Sequence, residues 1–342
     1  MTAILEQTAA AIMAPGKGIL AADESTGTIG KRFHQIGVDN IEDNRRDYRE
    51  VLFGATEAMT AYISGVILFD ETLRQRAKDG THFTDMLNAT GSVPGIKVDA
   101  GAKPMALFPG ETVTAGLDGL AERLAEYYDL GARFAKWRAV ISIGNGRPTW
   151  GCVKANAQGL ARYAALCQEA NIVPIVEPEV LMDGPDATHD IDRCYEVTEW
   201  TLKTVFAELY DARVQLEGII LKPNMVIAGQ KSAKQASVGE VAEKTLKCLK
   251  ACTPAAVPGI AFLSGGQSEI DATAHLSAMS AHGNLPWPLT FSYGRALQQA
   301  ALQAWGGKPA NVDAARAAFA HRARMNSLAA TGRWSKDLET GG

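Results

Sequence analysis

The chain has 342 residues, of which 46% are hydrophobic and 21% charged, and its formal net charge is -4. That length can bury a large core in one large α/β domain or two medium ones. The charge balance offers no bulk positive field to nucleic acid or an anionic membrane, so any affinity for phosphate must be built locally. Residues 1–14 contain Glu6 and no basic n-region, and read as an N-terminal helix, not a secretory signal. From there short β-like runs alternate with longer helical patterns. In order the runs are Gly18–Asp23, Ser64–Asp70, Gly95–Asp99, Arg133–Ile141, Ile172–Glu179, Gly218–Lys222, Gly259–Gly265 and Leu289–Tyr293. Leu117, Leu120, Ala121, Leu124 and Tyr128 share one helical face. Ile191, Cys194, Tyr195, Leu202, Val205, Phe206 and Leu209 form another. Ser237 with Glu240 reads as a capping box, Ser268 as a second cap, and Gly306–Gly307 as a helix stop. The last stretch, about residues 331–342, reads as a flexible tail.

Strict alternation of strand and helix favours a parallel sheet with helices outside, and eight strands over this length is the (β/α)8 TIM-barrel pattern. A doubly wound open sheet is the rival. It calls for a glycine-rich turn after the first strand, where this chain has Ala22-Asp23-Glu24-Ser25-Thr26-Gly27. One barrel domain over residues 1–342 is the expectation.

Interior barrel positions are apolar unless chemistry requires otherwise. Yet ionisable groups cluster at the ends of these runs: Asp23, the pairs Lys97/Asp99, Lys136/Arg138 and Glu177/Glu179, then Lys222. Residues two apart share a strand face, and the end involved is where barrel enzymes carry their chemistry. The alternative is a structural salt-bridge layer inside the barrel. The lysines need most explanation. Desolvation and neighbouring cations lower a lysine's pKa and leave free amine to attack a carbonyl. Lys222 follows Gly-Ile-Ile-Leu, and Pro223 keeps it extended. Lys136 is a competing nucleophile on these grounds, and Glu177 is placed to move protons.

A phosphate signal lies in the last two loops, Ser264-Gly265-Gly266-Gln267-Ser268 and Gly294-Arg295. Glycines admit backbone N–H groups to an anion, and arginine adds a charged fork. A second polar and basic group follows the first run: Ser25, Thr28, Lys31 and Arg32, with Lys97 facing it. The six histidines lack metal-ligand spacing, and His189 with its neighbouring aspartates opens a helix. The five cysteines, Cys152, Cys167, Cys194, Cys248 and Cys252, include no C-x-x-C pair and read as free thiols of a reducing, cytoplasmic setting. No apolar run is long enough for a bilayer.

With these residues in view, the chain closely resembles class I fructose-1,6-bisphosphate aldolase. The matching blocks are GILAADESTG (18–27), GVILFDETL (65–73), GIKVDAG (95–101), FAKWR (134–138), PIVEPEVL (174–181), LEGIILKPNMV (216–226), FLSGGQSE (262–269) and FSYGRALQ (291–298). The resemblance implies a barrel, a homotetramer, no metal or cofactor, and reversible cleavage of fructose 1,6-bisphosphate. It implies that Lys222 forms the Schiff base, that Glu177 shuttles protons beside Glu179, and that Asp23 assists carbon–carbon cleavage. Lys97 and Lys136 match the two other active-site lysines, and Arg138 the arginine beside the catalytic lysine. One phosphate is expected at Ser264, Gly265, Gly294 and Arg295, the other near Ser25, Thr28 and Lys97. Sedoheptulose or tagatose bisphosphate, or a non-catalytic sugar-phosphate-binding role, are the alternatives. The chain departs from the family at two places. It has no tyrosine after Tyr293, where animal members carry a terminal tyrosine that assists enamine protonation, and Ser142 stands where a further lysine is common.

Overall fold

The structure, a computed structural model, describes residues 2–340. Ten strands form: β1 (Gly18–Ala22), β2 (Ile63–Leu68), β3 (Val93–Lys97), β4 (Ala102–Pro104), β5 (Thr112–Thr114), β6 (Phe134–Ile141), β7 (Val173–Val180), β8 (Ile220–Leu221), β9 (Ile260–Phe262) and β10 (Leu289–Tyr293). Eight close a parallel barrel in the order β1-β10-β9-β8-β7-β6-β3-β2, and helices wrap its outside. The fold is the (β/α)8 barrel.

All eight runs become barrel strands, with shifted ends. The shortest of them is β8, whose paired core is only Ile220–Leu221. Leu216–Gly218 winds into a 3-10 turn, and Lys222 lies just past the strand. The backbone N–H of Lys222 still donates to Val176 O at 2.8 Å, so the residue stays registered against β7. The antiparallel hairpin of β4 and β5 is not anticipated by the sequence, because two three-residue strands are too short to carry a readable periodicity.

Alternation divides each strand between two cores. Leu20, Ala135, Trp137, Val176, Leu221, Phe262 and Phe291 face outward into the layer under the helices. Ile19, Ala21, Ile67, Phe134, Val173, Ile175, Ile220 and Ala261 face inward and fill the lower barrel. The N-terminal helix Thr2–Ile12 plugs that end with Leu5, Ala9 and Ile12, packed in the same inner cluster. Residue 1 of the expected helix lies outside the described residues. Because side chains repeat every two residues, the inward face continues upward from Ala21 to Asp23, Phe134 to Lys136 and Arg138, Ile175 to Glu177 and Glu179, and Ile220 to Lys222. An apolar floor therefore carries a charged upper layer.

The caps fall where the residue chemistry puts them. Ser237 Oγ accepts from Glu240 N, Ser268 Oγ from Asp271 N, and Gly306 in the left-handed region ends the helix Arg295–Trp305. On the helix Leu120–Asp129 the buried aromatic is Tyr127. Tyr128 instead lies under the Arg133 guanidinium, 4.0 Å from the ring centre. All five cysteines are free. Among the described residues, no helix is long and apolar enough to cross a membrane.

The segment read as a flexible tail packs back as far as Thr340. Glu339 takes an ion pair from buried Arg322 at 2.5 Å and a hydrogen bond from Trp334 Nε1 at 2.8 Å. A buried guanidinium needs a carboxylate, and this segment supplies it. Residues 341–342 of that tail lie outside the described residues.

Candidate active site

A cavity of about 830 Å3 opens at the C-terminal end of the barrel strands. Lys222, Glu177, Asp23, Lys136 and Glu179 line it, as do Ser25, Thr28, Lys97, Arg138, Ser264, Gly265, Gly294 and Arg295. Every residue that the resemblance assigns to this site is therefore brought to one place, whereas Lys31, grouped with Ser25 and Thr28 in the sequence, is exposed and does not line the cavity.

The centre is a chain of alternating charges. Lys136 Nζ lies 2.8 Å from Asp23 Oδ2 and 3.3 Å from Glu177 Oε2. Lys222 Nζ lies 3.2 Å from Glu177 Oε1. These four are nearly out of solvent, with exposures of 9% for Asp23, 5% for Lys136, 3% for Glu177 and 3% for Lys222. Buried charge at this density is tolerated only because each group faces an opposite one. The Lys136 contact to Glu177 Oε2 lacks hydrogen-bond geometry, and that oxygen has no hydrogen-bond partner among the described residues.

Burial acts on both lysines in the same direction, but their net shifts are opposite. For Lys222, burial lowers the pKa; Glu177 opposes this, Lys136 adds to it, and the net result is down. For Lys136, burial also lowers the pKa, but Asp23, Glu177 and Asp99 outweigh it and hold the ammonium charged. Burial raises the Asp23 carboxyl, yet Lys136, Lys222 and Lys97 overcome that and bring it to about 2.

Strand register explains the next shell. Arg138 lies opposite Glu177 and Val140 opposite Glu179 in the β6–β7 pairing. The Arg138 guanidinium reaches up one step to pair with Glu179. Lys97 and Lys136 are register partners on β3 and β6, but Lys97 Nζ turns to Asp99 Oδ1 at 2.6 Å. This separates Lys97 from the central cluster and leaves it at the cavity wall.

Two polar ends flank the centre. Ser25 caps the helix Thr26–Gln35, and its Oγ lies 3.1 Å from Thr28 Oγ1. Across the mouth, Gly265 packs so closely on Glu179 that a Cβ there would come within 2.6 Å of Glu179 Oε1. Arg295 opens the helix Arg295–Trp305, and its Nη2 donates to Gln267 O at 3.0 Å. Each end thus combines hydroxyls or glycine backbone with a cation, a donor set suited to phosphate.

Several residues here escaped the sequence reading. Glu24, Phe69 and Asp183 also line the cavity, beside Arg32 of the basic group already read from the sequence. His275 Nδ1 contacts Gln267 Oε1 at 2.7 Å beneath the loop after β9. Glu24 stood beside Asp23 in an already suspect segment, and so was findable. The others depend on contacts between distant segments. His189 does not line the cavity. Asp190 caps the helix Ile191–Asp211, as expected.

Comparison with known proteins gives the family. The sequence model described as Fructose-bisphosphate aldolase class-I matches residues 4–341. The chain is 59% identical over 331 residues to a probable fructose-bisphosphate aldolase class 1 of Xanthomonas axonopodis pv. citri, covering 96% of this chain and 98% of that one. It is 54% identical over 334 residues to the cytosolic fructose-bisphosphate aldolase 4 of Arabidopsis thaliana, covering 97% and 84%. Its structure superposes with a TM-score of 0.95 on the Plasmodium falciparum fructose-bisphosphate aldolase solved as a ternary co-crystal with TRAP and a small molecule inhibitor. Identity there is 48%, with 98% of this chain and 96% of that chain covered. The barrel, the charged cavity at its strand ends and these full-length matches agree: the chain belongs to the class I fructose-bisphosphate aldolase family, a family of carbon–carbon lyases.

Proposed function

We propose that this site cleaves D-fructose 1,6-bisphosphate reversibly to dihydroxyacetone phosphate and D-glyceraldehyde 3-phosphate through a Schiff base on Lys222. The observation that carries this reading is the opposed behaviour of two buried lysines around one carboxylate. Lys222 is pushed toward free amine, while Lys136 is held as ammonium. Only a free amine has the lone pair to attack a carbonyl. This asymmetry supports Lys222 as the nucleophile, with Lys136 as a fixed positive charge.

The steps follow from position. Lys222 Nζ adds to the ketose carbonyl, and the carbinolamine loses water to give a protonated imine. Glu177, 3.2 Å from that nitrogen, carries the protons of addition and dehydration. The iminium then draws the electron pair of the C3–C4 bond into an enamine. Asp23, ionised in the free site, takes the C4 hydroxyl proton as the aldehyde leaves. Protonation of the enamine at C3 and hydrolysis of the imine release dihydroxyacetone phosphate and restore Lys222. Glu179 orients Arg138 through their ion pair. Ser264, Gly265, Gly294 and Arg295 hold one phosphate; Ser25, Thr28 and Lys97 hold the other. No metal or cofactor enters these steps. Working as a single catalytic domain, the enzyme serves glycolysis and gluconeogenesis in the cytoplasm as a homotetramer.

A cleavage assay tests the assignment. Lys222→Met, which keeps the side chain's length and removes its amine, is expected to lower kcat at least ~10⁴-fold. Full activity in that variant refutes it.

A further inference from the structure

Beside the catalytic centre lies a second buried polar cluster that the chemistry above does not use. Glu24 follows Asp23 and starts the loop that carries Ser25 and Thr28. Its Oε2 accepts from Arg49 Nη2 at 2.5 Å, and its Oε1 accepts from Gln298 Nε2 at 2.9 Å. Arg32 also pairs with Oε1. Gln298 Nε2 donates in addition to Ala21 O at 2.7 Å, and Arg49 Nη1 reaches Gln298 Oε1 at 3.4 Å. Glu24, Arg49 and Gln298 are all buried.

The partners come from three separate elements. Glu24 belongs to the loop after β1. Gln298 lies one turn into the helix Arg295–Trp305, and its backbone N–H donates to Gly294 O at 3.1 Å. Arg49 comes from the helix Glu42–Phe53, which contributes nothing to the cavity wall. The cluster therefore ties one phosphate loop to the other through an outside strut. A buried ion pair roughly breaks even in stability against an apolar replacement, so its distinct effect is to fix positions.

We propose that Arg49, acting through Glu24 and Gln298, is a positioning residue that sets the spacing between the two phosphate loops and so makes the site select a ketose bisphosphate over a ketose monophosphate. The proposal rests on the two-phosphate reading above. A bisphosphate spans both loops and reads their separation, whereas a monophosphate engages only one of them. The reacting groups are held independently: Asp23 by Lys136 at 2.8 Å and Lys222 by Glu177 at 3.2 Å. Loosening the strut accordingly affects binding of the distal phosphate and leaves the chemistry in place.

Steady-state kinetics of the full-length enzyme with fructose 1,6-bisphosphate and fructose 1-phosphate test this. Arg49→Met is expected to raise KM for the bisphosphate about tenfold, with kcat changed less than about threefold and kcat/KM for the monophosphate within about twofold. Arg49→Lys, which restores a cation beside Glu24, is expected to recover most of the loss. If Arg49→Met does not fold, Gln298→Met carries the same comparison. Equal losses on both substrates, or no change on either, overturn the proposal. Borohydride trapping with dihydroxyacetone phosphate keeps the two ideas apart. An adduct that forms in the variant while selectivity collapses supports the strut; an unmodified enzyme that forms none overturns the Schiff-base reading instead.

Discussion

Lys222 and Lys136 reach opposite oxygens of one carboxylate, Glu177, at 3.2 and 3.3 Å. The sharing is unequal because Lys136 has a second acceptor, Asp23, at 2.8 Å. Two carboxylates hold one lysine charged, and that charge in turn helps discharge the other. Much of the chemistry reduces to this asymmetry.

Replacing Lys136 by methionine removes the cation that lowers the Lys222 pKa. It also leaves Asp23 and Glu177 less neutralised. Both changes favour the Lys222 ammonium, so the pH at which the imine forms moves upward. Borohydride inactivation in the presence of dihydroxyacetone phosphate, followed against pH, reads this shift, and kcat at neutral pH is expected to fall ~10²-fold. A profile that stays put or moves to lower pH contradicts the electrostatic coupling.

Asp23 carries a stability signature. Its carboxyl is depressed from 3.8 to about 2. A depressed acid stabilises the fold above its unfolded pKa, and that contribution is lost as pH falls through the folded one. The shift corresponds to about 2 kcal/mol, lost between roughly pH 4 and pH 2. Urea unfolding across that range should show a steeper decline in the wild type than in Asp23→Asn. Parallel declines would remove Asp23 from the acid sensitivity.

Gly265→Ala probes the approach of the loop after β9 to the floor of the site. The added methyl would meet Glu179 Oε1 at 2.6 Å and Leu263 Cδ1 at 3.2 Å. The carboxylate, at the end of a flexible side chain, moves aside and disturbs Arg138. The fold is expected to lose less than about 1 kcal/mol, while KM for the bisphosphate rises about fivefold. An unchanged KM with the same stability would show that the close packing has no bearing on binding.

The barrel was legible because a (β/α)8 strand has to be apolar below and reactive above. The pairs Lys136/Arg138 and Glu177/Glu179 break the apolar inner face one step apart in register, and that break is visible in one dimension. Strand ends were less legible. Lys222 was placed at the end of a five-residue strand, but the 3-10 turn Leu216–Gly218 leaves only Ile220–Leu221 in ladder geometry. Nothing local signals that turn. The β4–β5 hairpin was invisible because three-residue strands are too short for an alternating pattern. Arg49 and Gln298 were missed for a different reason. They lie 249 residues apart and acquire meaning only when the closed barrel brings them to Glu24. Residue chemistry alone left Lys136 and Lys222 as rivals, and only the family resemblance favoured Lys222; a physical ground for the choice needs three dimensions. Two lysines at strand ends look alike until their acceptors are placed.

The most direct test is the site of covalent capture. Incubation with dihydroxyacetone phosphate and borohydride, followed by peptide mass spectrometry, is expected to place one reduced adduct on Lys222 and none on Lys136 or Lys97. An adduct on Lys136, or cleavage activity with no adduct at all, would contradict the assignment of Lys222 as the nucleophile.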